Sequence, residues 1–427
     1  MNKNFSEEED WDELLELISD GQLTPIIGNE LYKFTDQDKL VPIDNYLSMQ
    51  LFAKYNITDQ PASSLYKTVG YLKNEKKIEK MDIDQVLRSL AKKINFDFPL
   101  LAEFLTIRKL NYYINTTIYD TVFVESVSKV RKQKATSTNF LIKGKNENCD
   151  LEDLEIPFLF NVFGSLLNTV DPPTSEEEML EYTVSFLEKI KDIPSIDNVL
   201  QNKNLLFIGC TYPDWQVRFI LRLLSTQSFG DWGKERKMII VNDKTEMRDT
   251  QYNFLKNYRV ITYQGNTDDF VKELANRWNK KNPFQKNIFL SYTADDKPAV
   301  ENLKNGLDGI ENVTCFYDKD RINAGDSFDK EIADNIEKAD LFISLISANS
   351  LTHTRGYIQK EWNWAEQESI RRKQDGNEKY LLPIIIDDTK TTDPTIPKCF
   401  SSISIGQLPQ GNTDEKFLKL VKERLNL

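Results

Sequence analysis

The stretch from Lys286 to Asp388 alternates short apolar segments with polar segments that have the period of a helix. The apolar segments read KNIFLSY, VTCFYD, DLFISLIS and YLLPIIIDD. Strands of this kind separated by helices are typical of a parallel sheet with crossover connections. We therefore predict an α/β fold for this part of the chain, with a short fifth strand at SISIGQL.

The chain has 427 residues, which is too long for one ordinary hydrophobic core and predicts at least two domains. The break is expected at Trp278 to Phe284 (WNKKNPF), where a lysine pair and a proline follow an amphipathic segment. The predicted domains are residues 1–280 and 284–427. The first half opens with a helix and then carries further strand-like runs separated by helical segments, so a doubly wound α/β pattern is predicted there too. These runs are LTPIIG, KLNYYINTTIYD, IPFLFNVFG, KNLLFIGC, KMIIVND and YRVITYQG.

Charge and hydropathy limit the partners that this chain can bind. The net charge of −12 argues against a large nonspecific surface for nucleic acid, which needs a basic face. A local basic run at Lys129 to Lys134 (KVRKQK) could still touch nucleic acid, but a solvated helix end or loop is the favoured interpretation. No apolar run is long enough to cross a bilayer, and the acidic N-terminus is unlike a signal peptide. We expect a cytoplasmic protein with no membrane contact.

The chain contains one histidine, His353, and four cysteines that are isolated from one another. A Ser-His-Asp triad needs a positioned imidazole, and a site with several histidine ligands needs more imidazoles than the one in this chain. No CxxC pair occurs, so neither a zinc site nor a disulfide framework is indicated. We predict no metal site, and we expect His353, which lies in a polar stretch, to be a surface loop residue.

Four sequence blocks of the N-terminal half follow strand-like runs at characteristic places, and they are IIGNEL around Gly28, TTIYD at 116–120, Phe163-Gly164, and GCTYPDWQVR at 209–218. The order of these blocks resembles the sirtuin-like domains of bacterial defence proteins. In that family the corresponding blocks are a GAG turn that receives dinucleotide phosphate, TTNYD, an HG dipeptide with the catalytic histidine, and GxSxxDW-R. The resemblance implies a Rossmann-like, sirtuin-like fold.

Three departures from that pattern affect the residues that would act on a dinucleotide. Glu30 stands in place of the second glycine of GAG, and a carboxylate there would repel a pyrophosphate. Ile118 replaces the asparagine of TTNYD and Phe163 replaces the histidine of HG, and neither side chain can transfer a proton. The resemblance therefore implies a degenerate, catalytically inactive domain that serves regulation or assembly.

The C-terminal half resembles a TIR domain of the flavodoxin-like class, with a five-stranded parallel sheet. Its segment GYIQKEWNWAEQE, read as a helix, places Tyr357 and Glu361 one turn apart on one face. The family motif is an aromatic residue followed four positions later by the catalytic glutamate. Glu361 therefore corresponds to the catalytic residue, whereas Tyr357 stands where tryptophan is common. A solvated helix glutamate is the alternative for Glu361.

The resemblance also implies a set of residues that line the nucleotide cleft. Ser291, Tyr292 and Thr293 follow the first strand of this half, where an open parallel sheet collects ligands. Asp318 and Arg321 lie in the loop after the second strand, which in the family moves and mediates contacts between neighbouring copies. Tyr357 completes the predicted substrate-binding set. Helix capping by Ser291 and Thr293, and an ordinary charged loop for Asp318 and Arg321, are the alternatives.

These resemblances imply an NAD glycohydrolase of bacterial immunity, with NAD as substrate and no further cofactor. It would release nicotinamide and ADP-ribose or a cyclic ADP-ribose product. We expect activity only after a phage-derived or nucleotide trigger drives the TIR domains into a homo-oligomer or filament. Two alternatives remain, which are a TIR scaffold without enzymatic activity and a receptor that binds a nucleotide signal in the altered N-terminal cleft.

Overall fold

The computed structural model divides the chain into two compact units, Met1–Lys281 and Asn282–Leu427. It describes all residues except 1–3, 6–7, 38, 61–63, 152–153, 155, 170, 211–236, 243–259, 264, 284, 318–326, 353–356, 375–378 and 426. Both units combine helices with parallel sheets, so the predicted α/β class is confirmed.

The N-terminal unit contains these described elements. Its strands are β1 (Asn4–Phe5), β2 (Leu23–Ile27), β3 (Lys33–Asp36), β4 (Lys39–Pro42), β5 (Tyr112–Asn115), β6 (Thr136–Asn139), β7 (Phe158–Asn161), β8 (Asn204–Ile208), β9 (Met238–Val241) and β10 (Ile261–Tyr263). Its α-helices are α1 (Glu8–Ser19), α2 (Ile43–Lys54), α3 (Leu65–Asn74), α4 (Lys80–Ala91), α5 (Pro99–Leu105), α6 (Asp120–Arg131), α7 (Glu176–Lys189), α8 (Pro194–Asn202) and α9 (Thr267–Lys281). Short 3-10 turns lie at Asn29–Leu31 and Ile190–Asp192.

Eight of these strands form one parallel sheet, in the order β1-β10-β9-β8-β2-β5-β7-β6. The central strands β2 and β8 are nearly continuous apolar runs because helices cover both faces of such a sheet. Strands β3 and β4 pair antiparallel with each other outside this sheet. Helix α1 buries Trp11, Leu14, Leu15 and Ile18 on one side, as its helical period predicts.

The sequence overestimates the length of one strand in this unit. The run KLNYYINTTIYD forms strand only at Tyr112–Asn115, and helix α6 already begins at Asp120. Between them, Asn115 accepts hydrogen bonds from the backbone N–H and the hydroxyl of Thr117, at 3.1 and 2.9 Å. This local bonding turns the chain out of the sheet, because a polar side chain offers the backbone an alternative to strand pairing.

The basic run at 129–134 does not present all of its charges to solvent. Arg131, the last residue of α6, is only 2% exposed. Its guanidinium donates to the backbone carbonyls of Leu105, Ile107 and Leu110 at 2.7, 2.9 and 3.0 Å. It also donates to Asn111 Oδ1 and to the hydroxyl of Tyr113. Arg131 therefore joins helix α6 to the segment that precedes β5, and of the basic residues in the run only the lysines are exposed.

The C-terminal unit contains strands β11 (Lys286–Ser291), β12 (Val313–Phe316), β13 (Leu341–Ile346), β14 (Leu381–Ile385) and β15 (Gly406–Gln407). Its α-helices are α10 (Lys297–Leu307), α11 (Ser327–Lys338), α12 (Ala348–Thr352), α13 (Tyr357–Gln374), α14 (Lys398–Ser401) and α15 (Glu415–Leu425). Short 3-10 turns lie at Ala294–Asp296 and Pro409–Gly411.

These five strands form the predicted five-stranded parallel sheet, in the order β12-β11-β13-β14-β15. The order reverses direction between β11 and β13, and ligands of open α/β sheets bind at such switch points, beyond the carboxyl ends of the strands. Alternate residues of β11 and β13 face two separate apolar clusters. Ile288 and Leu290 face one, while Phe289 and Phe342 face the other.

Candidate active site in the C-terminal unit

Two serines lie side by side at the switch point of the C-terminal sheet. Ser291 is the last residue of β11, and it is in register with Ser344 of the neighbouring strand β13. Both side chains are 0% exposed. By strand alternation they lie on the same face as Phe289, Phe342 and Ile346. The two hydroxyls therefore form a polar spot on an otherwise apolar face of the sheet.

Helix α13 packs over this face and brings Glu361 to the serines. Its buried residues Ile358 and Trp362 belong to the same apolar cluster as the sheet face, and Glu361 lies on that side of the helix. The Ser291 hydroxyl donates a hydrogen bond of 2.6 Å to Glu361 Oε2. This short bond fixes the orientation of the carboxyl group.

The Glu361 side chain is fully buried, with 0% exposure. The solvated helix glutamate that was the alternative interpretation is therefore excluded. A substrate can reach this carboxylate only after surrounding side chains move.

Tyr357 lies one turn before Glu361 but in a different environment. Its side chain is 48% exposed, and the Lys360 ammonium lies 4.9 Å from the centre of its ring. Lys360 also forms a 2.8 Å ion pair with Asp329 of helix α11, and the hydrogen bond to Asp329 raises the pKa of Lys360. The aromatic ring is thus available at the surface, and its role in binding substrate stays a prediction.

A second buried carboxylate, Asp296, ties together the loops that follow β11 and β13. It accepts hydrogen bonds from the hydroxyls of Thr293 and Ser347, each at 2.6 Å, and from the Asn349 amide at 2.9 Å. The Asp296 side chain is 6% exposed. Thr293 is therefore engaged within its own loop, where its hydroxyl donates to a carboxylate and makes no side-chain capping bond to a helix.

Tyr292 is not brought together with Glu361. It follows Ser291 directly and points to the opposite face of the sheet, where it packs in the cluster that contains Ile288 and Leu290. The predicted residues Asp318 and Arg321 lie outside the described residues, as does His353. From the predicted set, the structure brings Ser291 together with Glu361. Two residues that were not predicted lie nearby in the fold, since Ser344 is beside Ser291 in the sheet and Asp296 joins the loops after β11 and β13. The signal for Ser344 was a serine inside the apolar strand LFISLI.

In the N-terminal unit, the turn after β2 is closed by the chain itself. A Cβ atom on Gly28 would lie 2.4 Å from the carbonyl oxygen of Gly209, so the two turns are in direct backbone contact. Glu30 is buried beside them, and its carboxylate accepts a hydrogen bond from the hydroxyl of Thr267 at the start of α9. The N-terminus of a helix favours a negative charge, and here a side chain of the protein supplies it.

A small cavity lies near the other two departures from the dinucleotide-binding pattern. It has a volume of about 30 Å³, and its lining includes Asp44, Tyr119, Ile118 and Phe163. This volume suits a water molecule and is far below the several hundred Å³ of a typical ligand pocket. The Tyr119 hydroxyl donates to Asp44 at 2.5 Å, and burial raises the pKa of the Asp44 carboxyl.

A wider, open groove of about 910 Å³ also lies in the N-terminal unit, lined in part by Trp11, Tyr263 and Asp269. It contains none of the residues that the sequence selects as functional. Among the described residues, no cluster of three or more His, Cys, Asp or Glu side chains could hold a metal ion. No helix in the described part of the chain is long and apolar enough to cross a membrane.

Comparison with known proteins places the C-terminal unit in a family. A search of curated proteins gave no match to the chain. Residues 288–421 match the family model of the TIR domain. This range begins in β11 and ends in α15, so it includes the whole described sheet of the unit except its first two strand residues, together with Ser291, Ser344 and Glu361. The C-terminal unit of this chain therefore contains a TIR domain.

Proposed function

We propose that this chain is an NAD glycohydrolase of bacterial immunity whose catalytic residue is Glu361. The observation that carries the proposal is the oriented, buried carboxylate of Glu361 at the switch point of a TIR-domain sheet. Many TIR domains are NAD nucleosidases, which makes this reaction the first to test.

The chemistry needs few groups beyond such a carboxylate. Cleavage of the bond between nicotinamide and ribose builds positive charge on the anomeric carbon, and a fixed carboxylate stabilises that charge. Nicotinamide leaves as a neutral amine, so no acid is needed to protonate it. In this proposal the Ser291 bond keeps Glu361 in one orientation, and water or a group of the substrate then attacks to give ADP-ribose or its cyclic form.

The burial of Glu361 supports regulation by assembly. A carboxylate with no exposed surface cannot contact the anomeric carbon, so the chain by itself is expected to turn over NAD slowly. We propose that a phage-derived or nucleotide trigger brings TIR domains together, and that contact between copies rearranges the residues around Glu361. The energy of those contacts would offset the cost of opening the site.

In this proposal the N-terminal unit is a sirtuin-like domain that regulates or assembles the protein without catalysis. The buried Glu30 at the dinucleotide turn and the cavity of about 30 Å³ beside Phe163 support that role. The two alternative functions are a scaffold in which TIR domains only assemble and a receptor that binds a nucleotide signal in the N-terminal unit.

The test is nicotinamide release from NAD by the full-length protein at high concentration with a crowding agent. We expect Glu361→Gln to lower the rate at least about 100-fold, because the charge that stabilises the transition state is lost. Glu366→Gln is the matched control, since Glu366 lies on the same helix but is partly exposed. Phe163→Leu, which keeps this buried position apolar, should leave the rate unchanged if the N-terminal unit is not catalytic.

Equal rates for the wild type and Glu361→Gln would refute the enzymatic role. If the wild type is inactive but assembles under the same conditions, as judged by light scattering, the scaffold alternative is favoured.

A further inference from the structure

Ser344 is a polar residue at a buried position of a central strand, where apolar residues are usual. Strand β13 reads LFISLI and is buried along its whole length. The Ser344 side chain is 0% exposed, and among the described residues its hydroxyl has no hydrogen-bond partner. Buried hydroxyls are nearly always paired because an unpaired one is destabilising, so this group calls for an explanation.

The position of Ser344 relative to Glu361 offers an explanation for this buried hydroxyl. Ser344 is in register with Ser291, and neighbouring strands lie about 4.8 Å apart. Both serines point to the face covered by helix α13, and the Ser291 hydroxyl already holds Glu361 Oε2 at 2.6 Å. Serine has three staggered positions for its hydroxyl. A change between these positions would turn the Ser344 hydroxyl toward Ser291 and the carboxylate that Ser291 holds.

We propose that Ser344 is a positioning residue for Glu361, holding the carboxylate from the side of β13 as Ser291 holds it from the side of β11. This inference rests on the proposed function for its catalytic consequence. A donor on each of two neighbouring strands fixes the orientation of the carboxyl group more closely than one donor does. The rigid sheet thereby sets the direction in which the negative charge points.

The alternative is that Ser344 only fills space. A space-filling serine would be replaced by alanine without loss, and the change would even stabilise the fold by removing an unpaired hydroxyl. The positioning role predicts the opposite, and the difference can be measured without any enzymatic activity.

The first experiment is a double-mutant cycle on the full chain, read as the unfolding temperature of the C-terminal unit. The variants are Ser344→Ala, Glu361→Ala and the pair. If the hydroxyl holds the carboxylate, Ser344→Ala lowers the unfolding temperature by about 3 °C in the wild-type background and has little effect once Glu361 is alanine. Equal effects of Ser344→Ala in both backgrounds would overturn the proposal, whether or not the protein cleaves NAD.

The second experiment uses the nicotinamide assay on active protein. We expect Ser344→Ala to lower kcat about tenfold with KM changed less than about twofold, because orientation of the carboxylate matters most in the transition state. Ser344→Thr keeps a hydroxyl and should recover most of kcat. The matched control is Ser350→Ala, since Ser350 is also 0% exposed but bonds to Ser347. An unchanged kcat in Ser344→Ala would overturn the role of Ser344 in catalysis. A wild type without activity would refute the proposed function, and the double-mutant cycle would then test the contact between Ser344 and Glu361 by itself.

Discussion

Replacing Arg131 by methionine should destabilise the N-terminal unit far more than a change at the end of a basic run normally does. Methionine fills a similar length but donates no hydrogen bond. The change removes the donor of five hydrogen bonds, three of which go to backbone carbonyls. A buried polar group that loses its partner costs about 1–3 kcal/mol.

The loss of stability can be worked out from the hydrogen bonds that each carbonyl keeps in the variant. The Ile107 oxygen keeps a bond from the Leu110 amide, and the Leu110 oxygen keeps one from the Tyr113 hydroxyl. Those two carbonyls lose only one of two partners, so each should cost about 1 kcal/mol, while Leu105 should cost about 2 kcal/mol. The expected loss is therefore roughly 4 kcal/mol, which is a large part of the stability of a typical domain.

The assay is equilibrium urea unfolding followed by hydrogen-exchange mass spectrometry, which reads helix α6 separately from the C-terminal unit. Lys129→Met is the matched control, because Lys129 lies on the same helix but its side chain is 52% exposed and its partner Asp97 is 90% exposed. We expect the control to change the free energy of unfolding by less than about 0.5 kcal/mol. A loss below about 1 kcal/mol in Arg131→Met would refute the argument that the guanidinium satisfies those carbonyls.

Three further predictions concern the sites described above. Gly28→Ala should prevent stable folding of the N-terminal unit, because the new Cβ atom would lie 2.4 Å from a backbone oxygen. Gly70→Ala is the comparison, since no atom lies within 4 Å of the new Cβ, and it should stabilise helix α3 by about 0.5–1 kcal/mol. Thermal unfolding followed by circular dichroism compares the two variants. Asp296→Ala should lower the unfolding temperature of the C-terminal unit and reduce NAD cleavage, since three donors lose their acceptor. Burial raises the pKa of Asp44 above its usual 3.8, so the folded state binds this proton more tightly than the unfolded chain does. Stability should therefore fall as the pH rises above about 4, and Asp44→Asn should flatten that part of the curve of unfolding temperature against pH.

Each of these has an outcome that would contradict it. Similar melts for Gly28→Ala and Gly70→Ala would mean that the two turns can separate at little cost. Full activity in Asp296→Ala would show that the loops after β11 and β13 hold their positions without it. A pH dependence that is the same in the wild type and in Asp44→Asn would assign the titration to other groups.

The sequence predicts the elements of the C-terminal unit well because its strands are apolar runs bounded by turns. Glu361 is selected by the resemblance to the TIR motif, in which a glutamate follows an aromatic residue by four positions, and its catalytic role stays a prediction. Strand alternation separates Ser291 from Tyr292, because adjacent residues of a strand point to opposite faces. The two residues are neighbours in the chain and were predicted to line one cleft, but the structure places them on opposite sides of the sheet.

The remaining site residues depend on contacts that no local pattern records. Asp296 and Ser347 are far apart in the chain and meet only because β11 and β13 are neighbours in the sheet. The pairing of Ser291 with Ser344 depends on strand register, which packing of the whole unit decides. In the N-terminal unit, the sequence pattern places Arg131 in a solvated basic run, whereas in the structure the backbone carbonyls of the segment before β5 surround its guanidinium.

The enclosed position of Glu361 has a consequence for inhibitor design. A compound that competes with NAD at this carboxylate can bind only the arrangement in which the carboxylate is accessible. By mass action such a compound stabilises that arrangement at the expense of the enclosed one. If contact between copies favours the same arrangement, a competitive inhibitor would promote assembly while it blocks the reaction. Partial occupancy would then leave open, vacant sites beside inhibited ones, and low doses would raise the rate of NAD loss before higher doses suppress it.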